Sequence, residues 1–147
     1  SAGHFASDVV FDDINYEHRD YDKWTAYGQS KTANILFTIE LERRFCAEGI
    51  HAYAVHPGMV ATQLGRYMKA DDMKTLSDRA SSQGRTLPPM QQVDTGASTT
   101  VWAATAPELD GVGGVYLVDC EISDQHAGYA FDAANARRLW EVSEALT

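Results

Sequence analysis

A long amphipathic run that leads directly into a short apolar segment constrains the fold of this chain more than any other feature. From Trp24 onward, apolar residues recur at spacings of three and four, which predicts a helix of about six turns ending near Gly49. Its apolar positions are Ala33, Leu36, Phe37, Leu41 and Phe45, and its polar face carries Glu40, Glu42, Arg43 and Arg44. The apolar residues 50–55 then predict a buried strand. A helix that leads into a buried strand indicates an α/β sheet.

The segments on either side of this unit are less regular. Residues 1–21 predict a long surface loop with a short strand at 9–11. Residues 64–92 mix charges with scattered apolar side chains and contain two adjacent prolines, which predicts a mobile insertion with one or two short helices.

The rest of the chain returns to regular patterns. A further helix is predicted at 95–106, with Asp94 as its cap. Its expected buried stripe is Ala97, Val101, Trp102 and Thr105. A glycine-rich turn at 111–114 introduces a strand that runs to Val118, and residues 131–146 predict a final helix. Two strands alternating with helices are too few for a complete parallel sheet. We therefore expect the chain to be part of a larger α/β fold.

The predicted first helix carries Tyr27 and Lys31 near its start. Residues four apart on a helix lie on one face, so the phenol and the ammonium are expected side by side. A neighbouring ammonium favours the phenolate form of a tyrosine, which makes the phenol usable as an acid or a base near neutral pH. The same spacing also occurs by chance in many chains, with a half-buried tyrosine and a solvated lysine.

A second constellation, Pro57-Gly58-Met59-Val60-Ala61-Thr62, follows the predicted strand. Ligands of open α/β sheets bind beyond the carboxyl ends of the strands, so a tight turn followed by a backbone amide and a hydroxyl is well placed to hold a planar carboxamide. An ordinary turn at the end of a strand fits the same residues. Ser1 adds a hydroxyl that can donate to a carbonyl oxygen.

The order of these three features resembles the second half of the short-chain dehydrogenase/reductase family. The resemblance covers essentially the whole chain. The start Ser-Ala-Gly-His and the end Ala-Arg-Arg-Leu-Trp-Glu-Val-Ser are most similar to the retinol dehydrogenase and WW-domain oxidoreductase branch, which acts on lipophilic alcohols and carbonyls.

The resemblance implies a role for each matching residue. Ser1, Tyr27 and Lys31 match the catalytic serine, tyrosine and lysine. The nicotinamide side of the cofactor site is matched by Pro57, Gly58, Val60 and Thr62, with Tyr27 and Lys31 also touching the cofactor. The implied reaction is hydride transfer between NAD or NADP and a small alcohol or carbonyl substrate. Residues 64–92 are the expected substrate cover, and the helix at 24–48 is the expected surface for homo-oligomer formation.

Other parts of the family pattern have no match. The family begins with a strand, a glycine-rich turn and a helix that bind the cofactor pyrophosphate, whereas Gly111-Val-Gly-Gly precedes a strand. The fold class expected for residues 1–147 is therefore α/β: the C-terminal half of one doubly wound, NAD(P)-binding Rossmann domain, without its N-terminal half.

Composition excludes several other classes of function. Twelve basic and 21 acidic residues give a net charge of −9, which disfavours nucleic acid as a partner. The histidines and the two cysteines are dispersed, so no metal site and no disulfide framework is predicted. No apolar stretch reaches the ~20 residues of a membrane span. A cytoplasmic location fits best.

Two alternatives remain open from the sequence. The first alternative is a non-catalytic remnant that lacks half of its nucleotide site. The second is an interaction module that pairs through the helix at 24–48. Cofactor binding by the remnant is expected to be weak or absent.

Overall fold

Four α-helices and five strands make up the structure, a computed structural model that describes every residue from Ser1 to Thr147. The helices are α1 (Lys23–Phe45), α2 (Ala70–Ser82), α3 (Val93–Thr105) and α4 (Ala133–Leu146). The strands are β1 (Tyr53–His56), β2 (Met59–Val60), β3 (Met90–Gln91), β4 (Val115–Val118) and β5 (Glu121–Ile122). None of the helices combines the length and apolarity needed to cross a lipid bilayer.

The main sheet joins strands that are distant in the chain. β1 pairs with β4 in parallel, with Tyr53 opposite Val115 and His56 opposite Val118. β4 then pairs with β5 in antiparallel orientation. Because α2, β3 and α3 lie between β1 and β4, the connection is the helical crossover that parallel strands require. The α/β fold class and the alternation of helix and strand are confirmed, with β1 forming slightly later than the predicted residues 50–55.

The first helix forms where the sequence predicts it. Asp22 caps α1, and its carboxylate accepts a hydrogen bond from the Thr25 amide at 2.9 Å. The helix passes into a short 3-10 turn, Cys46–Glu48, and Gly49 ends it with a φ of 77°. That left-handed conformation is the one that glycine adopts at no steric cost.

Helix α1 is covered on two sides. One cluster of buried residues joins it to the sheet, and a second joins it to α4 and to the segment before α1. The first cluster comprises Ile35, Ala54, Tyr116 and Ala130, and the second comprises Val9, Leu36, Ala136 and Leu139. The position of α1 relative to β1 is therefore set by packing rather than by loops.

The strand expected at 9–11 is wrong. Phe11–Asp13 forms a 3-10 helix, and Ala2–Ala6 forms another. The Val10 amide donates to the side-chain Oε1 of Gln29 on α1 at 3.1 Å, so a helix side chain takes the place of a neighbouring strand. Val9 is buried in the core, and the segment is more than a surface loop.

The predicted start and stripe of α3 also need correction. Gln92 occupies the cap position and Asp94 lies within the first turn. The residues of α3 that are buried are Gly96 and Thr99, whereas Val101 is 58% exposed. Gly96 lies directly against Val60, and this close approach of helix and strand turns the small residues of α3 inward. The pair formed by β2 and β3 was not predicted, because two-residue strands show no periodicity.

Glu40 is the one predicted outer-face residue of α1 that is fully buried. Its side chain is 1% exposed and accepts hydrogen bonds from Arg43 Nε at 2.8 Å and Arg44 Nε at 2.7 Å. The hydrogen bond from Arg43 is the main reason that the pKa of Glu40 is lowered to about 2, and Arg44 adds to it. A buried carboxylate is tolerated here because two guanidinium groups satisfy its oxygens.

Candidate active site

Tyr27 and Lys31 lie side by side near the N-terminal end of α1. The Lys31 ammonium is 5.2 Å from the centre of the Tyr27 ring, and the tyrosine is 41% exposed. Lys31 forms no ion pair with any carboxylate of the chain. The phenol is thus accessible, and the ammonium beside it is free to contact a further group.

Ser1 lies against the same pair. Its hydroxyl is 3.5 Å from the Tyr27 hydroxyl, and it accepts a hydrogen bond from the Gly3 amide at 3.1 Å. The Ser1 nitrogen donates to the Val55 carbonyl at 3.1 Å, which holds Ser1 near the carboxyl end of β1. The structure therefore brings together all three residues that the sequence singles out for catalysis.

A pocket of ≈ 280 Å³ adjoins this group along β1. Ser1 and Lys31 are part of its wall, and α1 and β1 supply the rest. The remaining lining residues are Asn34, Ile35, Thr38, Tyr53, Ala54 and Val55.

The Pro57-Gly58 turn begins directly after β1. Gly58 has a φ of 80°, and its amide donates to Nδ1 of His56 at 3.3 Å. A Cβ atom at this position would lie 3.1 Å from the carboxamide of Gln91. The left-handed backbone favours glycine at position 58, and a larger residue would also press on the Gln91 side chain.

Val60 and Thr62 follow in a segment that the neighbouring elements hold in place. Val60 pairs with Gln91 in the β2–β3 ladder and packs against Gly96. The Thr62 hydroxyl oxygen accepts from the Leu64 amide at 3.2 Å, so its proton is free to donate elsewhere. This segment lies beyond the carboxyl end of β1, the edge at which open α/β sheets bind ligands.

The segment that contains α2 packs back onto the residues that follow Ser1. The Gln83 side chain donates to the Phe5 carbonyl at 3.1 Å, and the Arg85 guanidinium lies 3.6 Å above the centre of the Phe5 ring. Arg79 pairs with Asp22 at the start of α1. The insertion is thus attached beside the serine and the tyrosine.

Known proteins align with nearly the whole of this sequence. A short-chain dehydrogenase/reductase of Penicillium roqueforti is 37% identical over 97% of the chain, and human retinol dehydrogenase 14 is 37% identical over 95% of it. A protein of Streptomyces lividans named a probable oxidoreductase is also 37% identical, over 96%. The chain belongs to the short-chain dehydrogenase/reductase family.

The match is to part of each relative. The chain spans about half the length of the curated relatives it matches: 44% of the Penicillium protein, 40% of human retinol dehydrogenase 14 and 51% of the Streptomyces protein. A crystal structure of an uncharacterized protein from Mycobacterium paratuberculosis superimposes with a TM-score of 0.66 at 29% identity, covering 99% of this chain and 47% of that one. No protein-family model matches the chain.

In this short-chain dehydrogenase/reductase chain, a group of buried titratable side chains lies next to the candidate site. Burial lowers the pKa of both His4 and His56 to about 4, because the charged imidazolium loses its hydration. Burial also raises the pKa of Tyr116, whose hydroxyl has no hydrogen-bond partner. Around neutral pH the side chains of His4, His56 and Tyr116 are therefore uncharged.

Sequence reasoning missed two residues of the site, Gly3 and His4. A Cβ atom at Gly3 would lie 2.5 Å from Cε1 of Tyr27 and 3.1 Å from Cγ of Lys31, so glycine lets the serine segment approach the tyrosine. His4 is completely buried. Both residues stand shortly after Ser1 in the sequence, but only the fold shows that this segment packs on α1.

Proposed function

We propose that this chain supplies the acid/base and substrate-facing part of an NAD(P)-dependent oxidoreductase that interconverts an alcohol and a carbonyl compound. The observation that carries the proposal is the grouping of the Ser1 hydroxyl, the exposed Tyr27 phenol and the unpaired Lys31 ammonium. The names of the relatives, which include oxidoreductases and a retinol dehydrogenase, support the same reaction class.

The residues present suit a nicotinamide cofactor. Lys31 has no carboxylate partner and is free to bind ribose hydroxyls, and the Thr62 hydroxyl has a proton to donate to a carboxamide. Gly58 and the Val60 backbone border the same turn. NAD or NADP, when bound, would supply or accept the hydride.

The chain's own groups handle the oxygen of the substrate. Tyr27 gives the proton to that oxygen during reduction and takes it back during oxidation. Ser1 donates a hydrogen bond to the same oxygen and stabilises the negative charge that develops on it. Lys31 places a positive charge beside Tyr27, 5.2 Å from the centre of its ring.

A lipophilic substrate is the class that the insertion favours. Residues 64–92 expose large apolar side chains, and the same segment contacts the residues that follow Ser1 through Gln83 and Arg85. Such exposed apolar side chains would cover an apolar ligand. These residues are Leu64, Tyr67, Met68, Met73 and Met90. We assign residues 64–92 the role of substrate cover within a single domain.

The decisive test is Tyr27→Phe in the intact protein. Reduction of all-trans-retinal and of nonanal would be followed with NADPH and with NADH, in parallel with binding of NADPH by nicotinamide fluorescence. Tyr27→Phe is expected to lower kcat by about 100- to 10,000-fold while NADPH binding stays within about 2-fold. The matched control is Tyr21→Phe, because Tyr21 is 71% exposed and lies outside the site.

Unchanged turnover in Tyr27→Phe would contradict the assignment. Failure of the intact protein to bind both NADPH and NADH would favour the alternative of a non-catalytic remnant. The cytoplasmic location is a further proposal, and subcellular fractionation tests it.

Self-association through α1 is the proposed oligomeric contact. α1 exposes the large aromatic side chain of Phe37, which is 48% exposed. Phe37→Glu is expected to convert a homo-oligomer into a monomer, as measured by sedimentation velocity. The control is Val101→Glu on the exposed face of α3, which should leave the size unchanged. Phe37 also stacks on Trp140 at 5.6 Å, so circular dichroism must show that the variant is folded. An unchanged size in folded Phe37→Glu would place any contact elsewhere.

A further inference from the structure

His4 is a fully buried histidine three residues after Ser1, in the 3-10 helix Ala2–Ala6. Its ring lies 4.1 Å from the Phe5 ring and meets the edge of Tyr116 at 5.2 Å. A buried imidazole must have hydrogen-bond partners for both of its nitrogens or lose stability.

Each ring nitrogen of His4 faces a backbone group that can act either only as an acceptor or only as a donor of a hydrogen bond. Nδ1 lies 2.7 Å from the Ser1 carbonyl oxygen, which can only accept, so Nδ1 carries the proton. Nε2 lies 3.2 Å from the Ala127 amide, which can only donate, so Nε2 is the acceptor. The surroundings thus select one neutral tautomer, and a second proton would place two N–H groups against each other at Ala127.

The ring provides the shorter of two contacts to the Ser1 carbonyl. The His4 backbone amide is 3.5 Å from that oxygen, at the limit of a hydrogen bond, whereas Nδ1 is at 2.7 Å. A short 3-10 turn has little stability of its own. The imidazole is therefore the stronger constraint on the backbone of Ser1.

The backbone of His4 is anchored in turn. Its carbonyl accepts from the Tyr129 hydroxyl at 2.7 Å and lies 3.2 Å from the Thr32 hydroxyl, whose nearer acceptor is the Ser7 carbonyl at 2.7 Å. Thr32 follows Lys31 on α1, and Tyr129 belongs to the 3-10 segment before α4. His4 consequently links the serine to the helix that carries the tyrosine and the lysine, and to a segment at the far end of the chain.

We propose that His4 is a positioning residue for the reaction, holding the Ser1 carbonyl through Nδ1 so that the Ser1 hydroxyl stays directed at Tyr27 and the substrate oxygen. The inference rests on the proposed function of Ser1. His4 itself touches neither Ser1 Oγ nor Tyr27 in the structure, and it acts through the backbone of Ser1.

Three substitutions separate the two ring contacts. The amide nitrogen of His4→Asn reaches the position of Nδ1 and can donate to Ser1, whereas the amide oxygen of His4→Gln reaches the position of Nε2 and can accept from Ala127. His4→Phe keeps an aromatic ring but removes both hydrogen bonds. We expect His4→Phe to lower kcat for aldehyde reduction by about 10- to 100-fold, with the KM for NADPH within about 2-fold. His4→Asn should recover most of the loss and His4→Gln little of it.

The same substitutions in a Ser1→Ala background distinguish positioning from general destabilisation. If His4 acts through Ser1, His4→Phe costs nothing further once the Ser1 hydroxyl is gone. An equal loss in both backgrounds, or recovery by His4→Gln instead of His4→Asn, would overturn the proposal. A lack of effect of Ser1→Ala and Tyr27→Phe themselves would instead refute the proposed function, so the two failures are distinct.

A spectroscopic measurement covers the case in which His4→Phe does not fold. Nitrogen-15 NMR of the wild-type imidazoles should show one histidine in the neutral Nδ1–H tautomer that does not titrate above about pH 5, since its pKa is lowered to about 4. The signal is assigned to His4 by its loss in His4→Asn. Observation of the Nε2–H tautomer, or of protonation near pH 6.5, would refute the geometry on which the proposal rests.

Discussion

The Ser1 hydroxyl lies 3.5 Å from the Tyr27 hydroxyl, although 26 positions separate the two residues in the chain. Two features permit this approach. Gly3 leaves room for the Tyr27 ring, and Gly28 lets α1 approach the backbone at Ala6 and Ser7, where a Cβ atom would lie 2.8 Å from the Ser7 nitrogen. The candidate site therefore depends on glycines as much as on its chemically active residues.

Gly3→Ala tests that dependence. The new methyl group would lie 2.5 Å from Cε1 of Tyr27, so the ring or the segment after Ser1 must shift and the approach of Ser1 to Tyr27 is disturbed. We expect kcat to fall by about 10-fold or more while the protein remains folded. Gly128→Ala is the matched control, because a Cβ atom there meets nothing within 4 Å. Steady-state kinetics and thermal melting compare the two, and wild-type turnover in folded Gly3→Ala would show that the ring can yield without consequence.

Gly96→Ala tests the packing behind the Pro57–Thr62 turn. Alanine favours a helix over glycine by about 1 kcal/mol, but its methyl group would lie 2.4 Å from Cγ2 of Val60. Overpacking costs about 1–3 kcal/mol, so we expect net destabilisation. Val60→Ala in the same chain should restore part of the loss. Urea unfolding measures both.

The control for the Gly96 experiment is Gly65→Ala. A Cβ atom there would be 3.8 Å from the Met68 sulfur, an ordinary contact, and stability should change by less than about 0.5 kcal/mol. Additive effects of Gly96→Ala and Val60→Ala would exclude the direct clash.

His4, which is buried, and His56, which is partly buried, make stability sensitive to acid. The pKa values of His4 and His56 are lowered to about 4 in the folded chain, against about 6.5 in an unfolded one. Above pH 6.5 neither state binds the protons, whereas below it only the unfolded state does. Each histidine should therefore remove up to about 1.4 kcal/mol of stability per pH unit between pH 6.5 and pH 4. His4→Asn should flatten this slope in denaturant unfolding, and equal slopes in the two proteins would contradict the lowered pKa of His4.

Glu40 contributes in a lower pH range. Because its pKa is lowered to about 2, its ion pairs stabilise the chain above the ordinary pKa of about 4.5 and are lost as the pH falls toward 2. Glu40→Gln should cost about 1–2 kcal/mol at neutral pH, less than a wholly buried pair would, because Arg43 is half exposed. Lys74→Ala removes an exposed pair and should cost less than about 0.5 kcal/mol. A deficit of Glu40→Gln that persists unchanged at pH 2 would argue against the ion pairs as its cause.

The local features of this protein could be predicted from the sequence because they depend on residues that are neighbours in the chain. The spacing from Trp24 to Gly49 sufficed to place α1, and the i, i+4 spacing of Tyr27 and Lys31 sufficed to place them on one face. A glycine and a proline bounded β1. These patterns arise from helix and strand geometry, which residues a few positions apart already define.

The tertiary structure decided what depends on residues that are far apart. Nothing local showed that Val10 would bond to Gln29 rather than to a strand, that α3 would bury Gly96 rather than Val101, or that Glu40 would lie inside. The sequence by itself determined which groups this member of the short-chain dehydrogenase/reductase family has available. The fold alone decided that the Ser1 hydroxyl meets the Tyr27 hydroxyl and that the ring of His4 meets Ala127, because a contact between distant residues depends on the packing of every element between them.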